Sequence, residues 1–136
     1  VDLAAARAFV RDHHHAVLAT TRRDGTPQMS PVLVGAGQDD ALLISTRTTA
    51  LKVANIAREP RVHLCVLPDG FFGPWVQIAG TAEIVRLPEA LDLLIAYYRQ
   101  ISGEHPDWDG YRAAMERERR CVIRVTPTAA GPDRSG

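Results

Sequence analysis

From Arg61 to Leu67 the chain alternates without a break, with Val62, Leu64 and Val66 on one side and Arg61, His63 and Cys65 on the other. A period of two belongs to a strand with one buried face, and neighbouring segments repeat the theme. His15 to Thr21 and about Gln28 to Val34 read as two strands joined by Arg23-Asp24-Gly25-Thr26, where Asp-Gly is a hairpin dipeptide. Ala41 to Thr46 is a third strand, and Arg120 to Thr126 the last. Trp75 to Leu87 is a long strand in which Gly80 marks a bulge or a close approach of backbones. Pro27 and Pro31 fall on the same side of the second strand. Pro31 cannot donate to a ladder, so that strand is an edge or is broken there.

Helical spacing occupies the rest. Residues 3–12 put Leu3, Ala6, Phe9 and Val10 on one face, and Val53, Ile56 and Ala57 have core spacing in a short helix that Thr48 or Thr49 can cap and Pro60 stops. Pro88 suits the first position of a third helix and Glu89 its dipole. Leu91, Leu94, Ile95, Tyr98 and Ile101 then form an amphipathic face that Gly103 ends. Asp107 can cap a fourth helix carrying Trp108, Tyr111, Arg112 and Met115. Hairpin linkage of the early strands predicts a mainly β (α+β) fold, a six-stranded antiparallel sheet closing into a small barrel with peripheral helices. A single domain is expected over residues 1–127, with a disordered Ala, Gly, Pro and Ser tail over 128–136.

Charge excludes some functions. Sixteen basic and 16 acidic residues cancel, and no basic block stands out, which argues against nucleic acid or an anionic membrane as partner. The apolar runs fall far short of the roughly 18 residues that span a bilayer, and the first 20 residues lack the apolar core of a signal peptide. Cys65 and Cys121 form no CxxC motif and read as reduced thiols of a cytoplasmic protein. The chain begins with Val rather than Met, as a processed or trimmed start would. Fifteen of the basic residues are arginine, which leaves Lys52 as the one lysine to explain.

Lys52 lies in the strongest local constellation, Ser45-Thr46-Arg47-Thr48-Thr49-Ala50-Leu51-Lys52, continuing to Asn55 and Arg58. Hydroxyls at a strand end, free N–H groups at a helix start and two cations suit a phosphate. The same pattern also describes an ordinary capped helix with solvated basic residues. Gln28-Met29-Ser30-Pro31-Val32 is a second feature: a proline in a strand leaves neighbouring main-chain groups unpaired, able to face a planar ligand or simply to form a plain edge. His13, His14 and His15 are consecutive and do not converge, so no metal site is expected. Glu104, His105 and Pro106 belong to a lid or to an interhelical loop. No nucleophile elbow, Walker loop or dinucleotide fingerprint is present.

These segments together resemble the pyridoxamine 5'-phosphate oxidase-like split β-barrel family. The resemblance rests on Val17 to Thr21, Asp24 to Val32, Ile44-Ser45-Thr46, Lys52, Asn55 to Val62 and Gly80-Thr81-Ala82. Tyr98-Arg99, then Gly103 to Arg112 with Met115, is similar to the actinobacterial, mycobacterial-type flavin/deazaflavin oxidoreductase B branch, which uses coenzyme F-420, an 8-hydroxy-5-deazaflavin. The resemblance covers about residues 10–126. It implies a homodimer with a flavin-like cofactor between subunits. The ring would lie against Gln28, Met29, Ser30, Pro31 and Val32 and against the Ser45–Thr46 strand end. Lys52 would hold the phosphate, with Asn55 and Arg58 nearby and Arg47 as a further cation. Trp75 would reach the site across the dimer. Flavin mononucleotide (FMN) members typically carry an Arg just before the Lys, and here that residue is Leu51. Deazaflavin relatives can carry a basic residue two before it, and here that residue is Ala50. The basic and aromatic residues that bind vitamin B6 substrates are not evident after Val125. The implied activity is hydride transfer between F-420 and a small unsaturated or quinone-like molecule. An FMN oxidoreductase and a cofactor-storage protein are the alternatives. The resemblance assigns no proton donor; His63, Tyr98, His105 and solvent are the options.

Overall fold

The computed structural model describes residues 2–131. In chain order the elements are α1 (Leu3–Asp12), β1 (His15–Thr21), β2 (Pro27–Leu33), β3 (Gly35–Ala36), β4 (Leu42–Arg47), α2 (Leu51–Arg58), β5 (Arg61–Leu67), β6 (Val76–Arg86), α3 (Leu91–Ser102), α4 (Trp108–Arg117) and β7 (Arg120–Ala130). The strands make one antiparallel sheet in the order β2-β1-β5-β6-β7-β4-β3. Seven strands replace the six expected, because the chain pairs Gly35 and Ala36 with Leu43 and Leu42 before it turns into β4. The sheet curls around its apolar face as a split barrel.

Each strand follows from its residue pattern. In β5, Val62, Leu64 and Val66 are buried while Arg61 and His63 are exposed. The β1–β2 hairpin turns on Asp24, whose carboxylate accepts from Thr26 N–H at 3.0 Å and from its hydroxyl at 2.6 Å, with Gly25 at φ 86°. These two bonds hold the Asp24 carboxyl below its ordinary pKa. Strand β2 is a sheet edge, as its two prolines require.

Two cores share the sheet. Inside the curl, Leu18, Ile44, Leu64, Ile78, Ile123 and Val125 pack with Ala6 and Val10 of α1 and Ile56 of α2. On the outer face of β4 and β7, Leu43 and Val122 pack with Ala90, Leu94, Tyr111 and Met115. Strand β4 is therefore buried on both sides, which explains its unbroken apolar run Ala41 to Ile44.

Several termini differ from the sequence expectation. Helix α2 starts at Leu51 behind Ala50, with no side-chain cap; Thr48 and Thr49 lie before the N-cap position, and the Thr48 N–H donates to Arg119 O at 2.9 Å. Pro88 does not open α3. It follows a cis peptide in a turn where Ala90 N–H donates to Arg86 O at 2.9 Å, and the helix begins at Leu91. Gly103 at φ 81° ends α3, and Asp107 caps α4 by accepting from Gly110 N–H at 3.0 Å. Strand β7 runs past Thr126 to Ala130 through a bulge at Thr128: Ala79 pairs with Ala129, but Gly80 pairs with Pro127. The rest of the expected tail, residues 132–136, lies outside the described residues.

Gly80 serves both purposes anticipated for it. A Cβ there would lie 2.6 Å from Val125 Cγ1 and 2.7 Å from Thr126 O. Gly80→Ala is expected to destabilise the protein by about 1–3 kcal/mol through overpacking against backbone. A urea titration measures this, with the slope unchanged and the midpoint lowered.

Candidate functional site

The sheet stops before it closes. Between the edge of β2 and the end of β4 lies a cavity of about 660 Å³. Pro31, Val32 and Leu33 form one wall, Ser45, Thr46 and Lys52 a second, and Tyr97, Tyr98, His105, Tyr111 and Met115 of the α3–α4 unit a third. Tyr97 fixes the gap: its hydroxyl donates to Leu33 O at 2.9 Å. One turn on, Gln100 Oε1 accepts from Ala36 N–H at 3.0 Å. The backbone at Gly35 passes close to α3: a Cβ there would lie 2.8 Å from that same Gln100 oxygen and 3.3 Å from Tyr97 Cδ2, so both side chains would have to shift.

Lys52 is half-buried in the first turn of α2. Among the described residues no carboxylate pairs with it. Burial pulls its pKa down, since the charged form is the one that loses water. An anion bound beside it would reverse that shift. Met29 on β2 faces out, 64% exposed, and Ser30 turns in. The Ser30 hydroxyl is buried with no hydrogen-bond partner, an orphan in the strand whose next residue lines the cavity.

The expected anion cluster is divided. Asn55 is 2% exposed and its amide donates to Thr20 Oγ1 at 3.1 Å, while its oxygen accepts from Arg58 at 3.1 Å. Thr20 in turn donates to Gln28 Oε1 at 3.2 Å, and Arg58 also donates to Thr21 O. Gln28, Asn55 and Arg58 thus form a chain that binds α2 to β1 and β2. Asn55 and Arg58 border a separate basic hollow of about 500 Å³ with Arg22 and Arg23. Arg47 is exposed at the end of β4, and Trp75 is half-buried just before β6; neither lines the cavity.

The aromatic wall carries residues that sequence reasoning placed in a helix face or a loop. Tyr98, His105, Trp108 and Tyr111 have ring centroids 4.9–5.8 Å apart in every pairing. Sequence spacing gives no sign of Tyr97, and it shows Tyr111 only as a helix residue and part of the Gly103–Arg112 resemblance, which does not separate a core face from a cavity wall. Burial pushes both phenols up in pKa, Tyr111 to about 12. The Tyr111 hydroxyl donates to Leu94 O at 2.9 Å. His63 sits on the exposed face of β5, away from the cavity. The consecutive histidines diverge: His13 stacks on Phe9, His14 bonds Val34 O, and His15 faces Asp69. Both cysteines are free, and burial raises the pKa of each thiol.

The family model for pyridoxamine 5'-phosphate oxidase matches residues 3–131. Among solved structures, the fold is similar to the conserved hypothetical protein Rv2991 from Mycobacterium tuberculosis at TM-score 0.76 and 24% identity, covering 93% of this chain and 81% of that one. A protein named F420 reductase matches at TM-score 0.71 and 23% identity, covering 92% and 94%. An FMN-binding protein from Nostoc punctiforme matches at TM-score 0.63 and 19% identity, covering 93% and 80%. At these identities the likeness is one of fold.

The raised Tyr111 pKa has a stability consequence with a definite sign. A phenol whose pKa is higher folded than unfolded stabilises the fold while it stays protonated, and that contribution is lost as pH rises from 10 towards about 12. Tyr111→Phe should lose about 1 kcal/mol at neutral pH with its hydrogen bond. It should also flatten the alkaline fall in stability. Denaturant midpoints at pH 8 and pH 11 measure both effects.

Proposed function

The chain belongs to the pyridoxamine 5'-phosphate oxidase family, and we propose that within it this protein is an F-420-dependent oxidoreductase that acts as a cytoplasmic homodimer on a small unsaturated or quinone-like molecule. The observation that carries the reading is the meeting, in one cavity, of an apolar strand edge, an aromatic wall and a lone unpaired lysine. The name of the F420 reductase relative supports the choice of cofactor. Among the described residues no helix is long and apolar enough to cross a membrane.

A flat ring carrying a phosphate fits this lining. Pro31 and Val32 offer an apolar edge whose outer side has no strand neighbour, Ser45 and Thr46 offer hydroxyls, and Lys52 offers one cation for the phosphate. The buried, unpartnered Ser30 hydroxyl gives this strand a polar atom still in need of a partner. When bound, the deazaflavin supplies the hydride. The protein's part is to orient and to exclude water. The aromatic wall covers one side, and Asn55 and Arg58 hold α2 so that Lys52 points into the cavity. Met29 and Trp75 lie outside the cavity of one chain, where a second subunit would meet them. An FMN oxidoreductase is the second reading, supported by the FMN-binding relative. Storage of either cofactor without turnover is the third.

Titration of the purified protein with F-420 and with FMN, read as fluorescence quenching, separates the first two readings. Binding of neither would refute both. Turnover of reduced F-420 with a panel of acceptors separates enzyme from store. Lys52→Ala should weaken F-420 binding by about 10- to 100-fold, the worth of one charge-assisted hydrogen bond. Because burial lowers the lysine's pKa, affinity in the wild type should fall as pH rises through that lowered value. Lys52→Arg should flatten the fall. Unchanged affinity in Lys52→Ala would refute the phosphate assignment.

A further inference from the structure

The cavity holds many polar groups, but most are already engaged. The Tyr97 hydroxyl donates to Leu33 O and that of Tyr111 to Leu94 O, each at 2.9 Å. Glu118 is paired with Arg120 at 2.9 Å. Lys52, Ser45 and Thr46 form the hydroxyl-and-cation wall suited to an anion. On the aromatic wall Tyr98 and His105 remain, and only His105 is held in one orientation by a polar bond of its own.

That orientation is set by the loop between α3 and α4. The Asp107 N–H donates to His105 Nδ1 at 2.9 Å, so Nδ1 is the acceptor and Nε2 carries the ring proton. Among the described residues Nε2 has no partner. The loop itself is braced. The Glu104 carboxylate bridges Arg99 Nε at 2.8 Å and Trp108 Nε1 at 3.1 Å, and the Arg99 guanidinium lies 4.8 Å from the Trp108 ring centre. Tyr98 and Tyr111 flank the imidazole with ring centroids 4.9 and 5.4 Å away.

We propose that His105 is the substrate-reading residue of this cavity: its Nε2–H donates to a carbonyl oxygen on a planar, uncharged molecule lying against Tyr98 and Tyr111. The proposal deepens the oxidoreductase reading, and it narrows the substrate to carbonyl compounds whose double bond is conjugated to that oxygen. A fixed donor at this oxygen is where negative charge gathers when such a molecule is reduced. His105 then serves as a hydrogen-bond donor, while the hydride comes from the reduced cofactor and the proton that completes the reduction from solvent.

Two probes with one skeleton test this, 2-acetonaphthone with a carbonyl and 2-ethylnaphthalene without one. Their binding to the purified protein is followed by quenching of tryptophan fluorescence. His105→Phe keeps a ring but no donor, and should weaken 2-acetonaphthone about tenfold, as one lost hydrogen bond does. Binding of 2-ethylnaphthalene should be unchanged. His105→Gln, which restores an N–H donor, should recover part of the loss. Nitrogen NMR of the His105 ring should find Nδ1 unprotonated and Nε2 protonated, with Nε2 shifting when 2-acetonaphthone is added. Equal 2-acetonaphthone affinity in wild type and His105→Phe, no binding of this probe at all, or a protonated Nδ1 would each overturn the proposal. These measurements need no cofactor. Failure of both F-420 and FMN to bind beside a normal probe response would therefore strike the oxidoreductase reading alone.

Discussion

Main-chain groups on the outer side of β2 have no strand to pair with, and that vacancy at the sheet edge organises the molecule. Pro31 has no N–H to offer, so the ladder is weakest where β4 would have to join it. The chain instead spans the gap with side chains from a helix. Tyr97 reaches Leu33 and Gln100 reaches Ala36, and these two bonds set how far apart the edges stand. The cavity is the space so preserved. Its walls come from β2, from β4 and from the α3–α4 unit, three parts of the chain far apart in sequence.

Helix α2 has a different task. One of its sides faces the core through Val53 and Ile56, and one is tied to the first hairpin through Asn55 and Arg58. Lys52 is left for the cavity. A buried amide that uses both its donor and its acceptor is a rigid anchor, and here it decides the direction of a cation three residues earlier. The basic hollow on the far side of the helix is thus a separate place from the lysine's cavity. The proposed phosphate grip rests on one charge, held where burial already strains it.

Much of this was legible beforehand, for reasons that differ by element. The period-two pattern of β5, the Asp-Gly turn, the edge character of β2 and the crowding at Gly80 are local properties, and the structure bears them out. Pro31, Val32, Ser45, Thr46 and Lys52 were named from neighbouring chemistry, and the fold brings these five together. Asn55 and Arg58 carry the right groups, but their direction depends on Thr20 and Thr21, which only tertiary contact reveals. Thr48 and Thr49 both have cap propensity, yet the helix begins behind Ala50, because where the chain enters α2 is set by tertiary contact rather than by propensity. Tyr97 is not signalled by the spacing of α3, and Tyr111 and Met115 are visible as helix residues but not as lining, because one helix face serves both a core and a cavity wall. The two-residue β3 is too short for any periodicity to announce it.

Strands β4 and β7 carry a core on each side, and this couples parts that a simpler barrel would leave independent. Peeling α3 and α4 away would bare Leu43 and Val122, the outward neighbours of residues that hold the interior. The helical layer is therefore not an appendage that can breathe without cost to the barrel. A molecule entering between β2 and the aromatic wall would have to fit the gap as it stands.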